Sequence, residues 1–284
     1  MAEKNESKFG WSRIEGGLTK AYAIGVMVFL IAPLLIIVPL SFNAEPYFTF
    51  TSKMLSLDPS GFSLRWYSDI VDNPQWLEAI GNSLVIAIAS TFLATVLGTL
   101  AAIGLARSNM PFRDFFMALL ISPLVVPIVI AAAGMYFFYS SIGLAQTHLG
   151  IIMAHTALGV PFVVITMTAT LSSFDRNLIR AAGSLGADPI TAFFRVTLPL
   201  VAPGMISGAL FAFAASFDEV VTVLFLGGPE QRTIPSQMWS GIREQISPTI
   251  LAVATLLIIF SSLLLLAVEM LRRWHTPPGA PIKR

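Results

Sequence analysis

Cysteine is absent from the 284 residues, which removes disulfides, thiolate nucleophiles and cysteine-ligated zinc together. Histidine occurs only at His148, His155 and His275, with no H-E-x-x-H or H-x-E spacing, so no metal site is expected. Charge is scarce as well. Asp, Glu, Lys and Arg make up 12% of the chain, where a soluble domain carries about 25%. A formal net charge of +1 without a basic cluster leaves no phosphate-binding face, and nucleic acid is excluded as a partner. The chain also lacks a G-x-x-x-x-G-K-[ST] loop, a G-x-G-x-x-G turn and a G-x-S-x-G elbow, so nothing in it cradles a nucleotide or activates a serine. It is not expected to be an enzyme.

What the chain has in abundance is apolar length, with 55% hydrophobic residues. Runs free of Asp, Glu, Lys and Arg cover 21–42, 79–106, 115–174, 196–217 and 249–268, and a helix needs about 20 apolar residues to cross a bilayer. The third run is long enough for two spans, parted by the polar cluster Ser140, Ser141, Gly143, Gln146, Thr147 and His148. The runs are apolar on every face, unlike the alternating strands of a barrel. The expected fold is an all-α integral membrane protein with six transmembrane helices, at about 21–42, 80–106, 115–139, 149–171, 198–226 and 249–271. Around the six-span domain of 21–272, residues 1–20 and 273–284 read as tails, the second disordered on account of Pro277, Pro278, Gly279 and Pro281. No small-residue cleavage pattern follows Lys4, Lys8, Arg13 and Lys20, so the first span is expected to stay in the mature chain.

Thirteen of the seventeen Lys and Arg residues fall in the N-terminal tail, around Arg107 and Arg113, at Arg176, Arg180 and Arg195, and after the last span. These segments share one side. Only Lys53, Arg65, Arg232 and Arg243 lie opposite, so the positive-inside rule puts both termini in the cytoplasm. Trp66, Tyr67 and Trp76 in the outer loop read as interfacial anchors. Pro123, Pro127 and Pro161 interrupt spans three and four, as rocking kinks or as ordinary ones repaired by neighbours. His155, inside span four, is compatible with a proton relay and with a hydrogen-bonded structural histidine.

The loop 172–199 is the most organised polar stretch. Ser172 with Asp175 has the capping-box pattern, and Leu178, Ile179 and Ala182 then share a helical face. Gly186 is placed to end that helix, and Asp188 with Pro189 to start another. Such a helix-turn-helix, apolar on one side, is either a docking surface or a loop packed under its own bundle.

Beyond it, Gly204, Gly208, Ala212, Ala215 and Glu219 recur at intervals of three or four and form a close-packing groove. An acidic residue at the bilayer centre costs roughly 2.5 to 3.5 kcal/mol on insertion scales, so the neighbours Asp218 and Glu219 call for a use. Three remain open: the span ends near Phe217 and leaves both among headgroups, they pair with another helix, or they attract a cation into a water-filled path. Phe211, Phe217, Phe225 and Trp239 lie near in sequence, and carboxylates with aromatic faces suit an amine cation.

Arg180-Ala181-Ala182, Gly186 and Leu198-Pro199 stand at the spacing of the E-A-A, G and I-x-L-P signature of bacterial binding-protein-dependent importer permeases, and the loop resembles their coupling helix. The family glutamate is Arg180 here and the isoleucine is Val196. The resemblance implies a type I ABC importer permease bundle in the bacterial inner membrane. It implies a second permease subunit, an ATPase dimer docked on the loop 172–199, and an extracytoplasmic substrate-binding protein. ATP and Mg would be bound by the ATPase, with no cofactor in this chain. Further likeness is to spermidine/putrescine permeases, on Pro39-Leu40-Ser41-Phe42-Asn43, Arg65-Trp66-Tyr67-Ser68, Ser216-Phe217-Asp218-Glu219-Val220-Val221, Gly228-Pro229, Ile234-Pro235 and Leu251-Ala252, most of all to the second permease type of such systems. It implies polyamine import, with Asp218, Glu219, Phe217 and Trp239 on the substrate path. Import of another cationic or small solute, or ion-coupled secondary transport, are the other readings.

Overall fold

The structure, a computed structural model, describes residues 6–106, 110–175, 177–244 and 247–275. In chain order its helices are α1 (Glu6–Leu40), α2 (Ser52–Leu55), α3 (Arg65–Asp72), α4 (Pro74–Leu105), α5 (Arg113–Val125), α6 (Ile128–Ser141), α7 (His148–Ser172), α8 (Asn177–Ser184), α9 (Pro189–Ala192), α10 (Leu198–Phe217), α11 (Val221–Leu226), α12 (Ile234–Glu244) and α13 (Thr249–His275). No strand occurs among the described residues, only an isolated bridge between Asn43 and Phe62. Among the described residues five helical segments are long and apolar enough to cross a membrane, Gly17–Leu40, Pro74–Leu105, His148–Ser172, Pro189–Phe217 and Thr249–Leu266. The bent pair α5 and α6 makes a sixth if counted as one span.

The structure departs from several of these expectations. The third span is bent by 102° between α5 and α6 instead of running straight through 115–139. Pro127 forces the residue before it out of the helical region, and Val126 is extended at φ −70° and ψ 131°. Pro161 does not interrupt α7, which continues through it to Ser172. The fifth span does not reach residue 226: the helix ends at Phe217, and a short separate helix follows. At the termini, helix begins at Glu6 within the expected tail and α13 runs on to His275. The remainder of the tails, residues 1–5 and 276–284, and likewise Arg107 and Arg176, lie outside the described residues.

The chain divides into two compact units. In the first, residues 1–72 and 245–262, two of the stretches singled out above meet. Trp66 Nε1 donates to the Asn43 carbonyl at 2.7 Å, the Tyr67 and Ser41 hydroxyls lie 2.7 Å apart, and the Tyr67 ring packs tilted against Phe42 with centroids at 5.1 Å. Trp66 and Tyr67 are therefore fasteners of the loop after α1. In the same unit Thr249 Oγ1 donates to Asp69 at 2.6 Å, fixing the start of α13. Only 6% of the most apolar window of α1 is buried, a surface for lipid or another subunit.

The second unit holds residues 73–244 and 263–284 and is built on α4, α7 and α10. Asn73, Thr147 and Asp188 cap helix starts with their side-chain oxygens, as their residue types predict. In lipid the helices gain little from burying apolar groups and associate through close packing of small residues. A Cβ added at Gly98 would lie 2.7 Å from that of Val163, and one at Gly208 2.9 Å from the Val163 Cα. Gly204 sits against Thr170 in the same way, and Gly159 against Ala94 and Ala212. The buried face of α10 reads Gly204, Gly208, Ala212 and Ser216, with Ala215 and Glu219 turned partly away from it. Trp76 is buried in this unit, not placed as a surface anchor.

Candidate functional site

The loop between α7 and α10 is a helix-turn-helix. Asp175, not the Ser172–Asp175 pair, opens it: the Asp175 carboxylate accepts from the Asn177 amide at 2.9 Å, while the Ser172 hydroxyl donates back to Ala169 at 2.7 Å because α7 continues through Ser172. Gly186 ends α8 at φ 85°, and two backbone bonds, Ala187 to Ala182 and Gly186 to Gly183, both at 3.0 Å, satisfy its last carbonyls. Asp188 then accepts from the Thr191 amide at 2.6 Å, with Pro189 at the first helical position. That bond holds the Asp188 carboxyl below its ordinary range.

Apolar side chains stand out from this loop with nothing over them, Leu185 at 90% and Ile190 at 71% exposed. Ala181 is exposed and Ala182 half-buried. Arg180, whose guanidinium comes 3.5 Å from the Asn177 side chain, lines a cleft of about 460 Å³ with Leu171, Phe174, Ile179, Pro189 and Phe193.

From Asp188 the chain runs on as helix without a break. The turn of α9 passes into a widened π-helical turn, Phe193–Thr197, in which the Leu198 amide reaches back to Phe193, and α10 follows with Pro199 near its start. The extra width makes room for a proline that would otherwise clash with the preceding turn. Pro189–Phe217 is thus one 29-residue rod, about 43 Å long at 1.5 Å per residue.

The far end of the rod carries the acidic pair. Asp218 caps α10 with its amide bonded to Ala214, and the two carboxylates stand in the break before α11. They differ in what they do. Glu219 Oε1 accepts from the Thr222 amide at 2.8 Å and so starts α11, whereas the exposed Asp218 carboxylate has no hydrogen bond among the described residues. Both line an open cavity of about 480 Å³ whose other walls are Phe162, Phe211, Ala214 and Ala215. The Phe162 and Phe211 rings are nearly parallel, 24° apart, with centroids at 6.5 Å. Phe217 turns to stack on Phe213 at 5.4 Å, and Trp239, half exposed on α12, does not line the cavity. Phe162 was not recognisable from sequence: it lies in another span, in an apolar run without a distinguishing pattern.

In the same unit the segment after α11 is tied onto α4, and α4 onto the start of α7. The Asn82 amide donates to the Glu230 and Arg232 carbonyls at 2.8 and 2.9 Å and its oxygen lies 2.9 Å from His148 Nε2. Ser83 Oγ accepts from the Ile234 amide at 2.8 Å. These bonds hold Gly228-Pro229 and Ile234-Pro235 in place.

The sequence profile of the family described as binding-protein-dependent transport system inner membrane component matches residues 94–277. This chain belongs to that family. Among relatives of this permease, the spermidine/putrescine transport system permease protein PotC of Escherichia coli K12 is 28% identical over 259 residues, 91% of this chain and 95% of that one. The putrescine transport system permease protein PotI of the same organism is 34% identical over 238 residues, 81% of this chain and 82% of that one. Among solved structures, a bacterial ABC transporter involved in the import of the acidic polysaccharide alginate superposes with a TM-score of 0.68 at 14% identity, over 96% of this chain and all of that chain. The MetNI methionine ABC transporter matches at 0.58 and 18%, over 70% of this chain and 95% of that one. The permease is accordingly an all-α, multi-pass membrane subunit of an ABC importer, a transport component and not an enzyme.

Proposed function

We propose that this permease forms half of the path of a polyamine importer in a bacterial inner membrane, with both termini in the cytoplasm. The observation that carries the substrate class is the cavity in which Asp218 and Glu219 stand beside Phe162 and Phe211. A di- or polyamine such as putrescine or spermidine is an apolar chain with ammonium ends. Carboxylates meet the ends, and ring faces meet both the methylenes and the charge. An anion would face two like charges in a low-dielectric wall, which is strongly unfavourable. The names of the PotC and PotI relatives point the same way.

The partners in this reading are a second permease subunit, an ATPase dimer that binds ATP and Mg, and an extracytoplasmic binding protein. The ATPases dock on the exposed apolar residues of α8 and α9. Their closure on ATP pushes the rod Pro189–Phe217, which starts in the docking loop and ends at the acidic pair, so one element links the two sites. Uptake of labelled putrescine and spermidine is measured in cells carrying the complete transporter with and without this chain. Uptake that requires the chain is expected; none, with a verified assembled complex, rejects polyamines as the substrate.

A further inference from the structure

A buried polar chain crosses the three central helices immediately beneath the acidic pair. Ser90 on α4, His155 on α7 and Ser216 on α10 are 1%, 1% and 7% exposed. The Ser90 hydroxyl lies 3.2 Å from the Ala87 carbonyl, the Ser216 and Ser90 oxygens are 2.9 Å apart, and His155 Nδ1 is 2.8 Å from Ser216 Oγ. A carbonyl only accepts, which sets the direction of every bond. Ser90 donates its proton to Ala87, Ser216 donates to Ser90, and Ser216 Oγ must accept from a protonated Nδ1 on His155. The imidazole is thereby held as the Nδ1–H tautomer, with Nε2 as the acceptor nitrogen that meets no donor among the described residues.

Ser216 is the last buried residue of α10 before the helix breaks. Its carbonyl receives the Glu219 amide at 3.4 Å, and Asp218 follows two residues later. A helix end beside a break frays unless its last turn is anchored, and here the anchor is the bond from His155. Phe162 stands seven residues after His155 on α7, two turns along the same face. The His155–Ser216 contact is thus the link between α7 and α10 that stands between the carboxylates on one helix and an aromatic wall of the cavity on the other.

We propose that His155 is a positioning residue of the substrate path. Its Nδ1–H, acting through Ser216, holds the Asp218–Glu219 turn against α7 at the spacing that admits the cation, and its Nε2 has no part in transport. The proposal rests on the reading of that cavity as the cation path. The test uses labelled putrescine uptake by the complete transporter, normalised to assembled complex. His155→Asn keeps a donor where Nδ1 was, His155→Gln moves it to where Nε2 was, and His155→Phe removes it while keeping a planar ring. The expected result is a near-native KM for His155→Asn and a KM raised about ten-fold for His155→Gln, His155→Phe and Ser216→Ala, a factor matching one net hydrogen bond, with kcat little changed. His155→Phe with Ser216→Ala should be no worse than either alone. Rescue by Gln but not Asn would overturn the proposal in favour of a role at Nε2, and equal tolerance of all three substitutions would reduce His155 to core filling. Asp218→Asn serves as the control: an unchanged KM there rejects the cavity itself, whereas a raised KM there with a native KM in His155→Phe rejects only the positioning role.

Discussion

Asp218 and Glu219 are neighbours in sequence with different physical tasks. The Asp218 carboxylate carries no hydrogen bond among the described residues, and in the proposed path it meets the cation, so Asp218→Asn should raise the KM for putrescine uptake at least about ten-fold, the factor that ~1.4 kcal/mol of lost attraction produces. Glu219 also caps α11 through the Thr222 amide. Glu219→Gln retains a carbonyl acceptor there and should reduce uptake while leaving assembly intact. Glu219→Ala removes the cap as well, at a cost of ~1 kcal/mol, and should lower the thermal stability of the purified complex. Equal behaviour of Gln and Ala at 219 in a thermal-shift measurement would count against the capping role.

At the scale of elements, the α8–turn–α9 unit depends on two local devices. Gly186 has φ 85°, and with open space around it a side chain there meets no clash but a strained backbone. Gly186→Val should cost ~1–2 kcal/mol of loop order and lower the amount of substrate moved per ATP hydrolysed. Unchanged coupling in reconstituted vesicles would separate this loop from the ATPase. Asp188 supplies the second device. Its carboxyl is held low by the Thr191 amide, so the charged cap is fully present above the ordinary carboxylate pKa and is lost as pH falls through its depressed value. Protease nicking between 184 and 192 should therefore rise only in that acidic window, and Asp188→Ala should show it already at neutral pH. The break between α10 and α11 belongs to this scale too. Its acidic residues stand where the rod ends, at the helix end near Phe217 that is one of the three readings left open by sequence, since Val220–Leu226 continues the apolar run.

For the whole molecule, membrane orientation is open to a direct test, since the chain contains no native cysteine. Single cysteines at exposed Ser184 and Glu230 should react with an impermeant maleimide from opposite sides, Glu230→Cys in intact cells and Ser184→Cys only after lysis. Labelling of both from one side would overturn the proposed topology. Sequence by itself determined the helical membrane class, the number and rough placement of the apolar runs, and the capping at Gly186 and Asp188 in the loop before α10, because hydrophobic length, glycine at positive φ and an aspartate before proline are local requirements that any tertiary setting leaves in force. It also singled out the acidic pair, because uncompensated charge is costly wherever lipid surrounds it. Tertiary structure alone decided the rest. The pairing of Phe162 with Phe211, the removal of Phe217 and Trp239 from the cavity, the 102° bend after α5 and the His155–Ser216–Ser90 chain all join residues from different spans or depend on how a span is met by its neighbours. In a chain whose helices are apolar on every face, no periodicity marks which face meets which, and only the close approach at Gly98, Gly204 and Gly208 settles it.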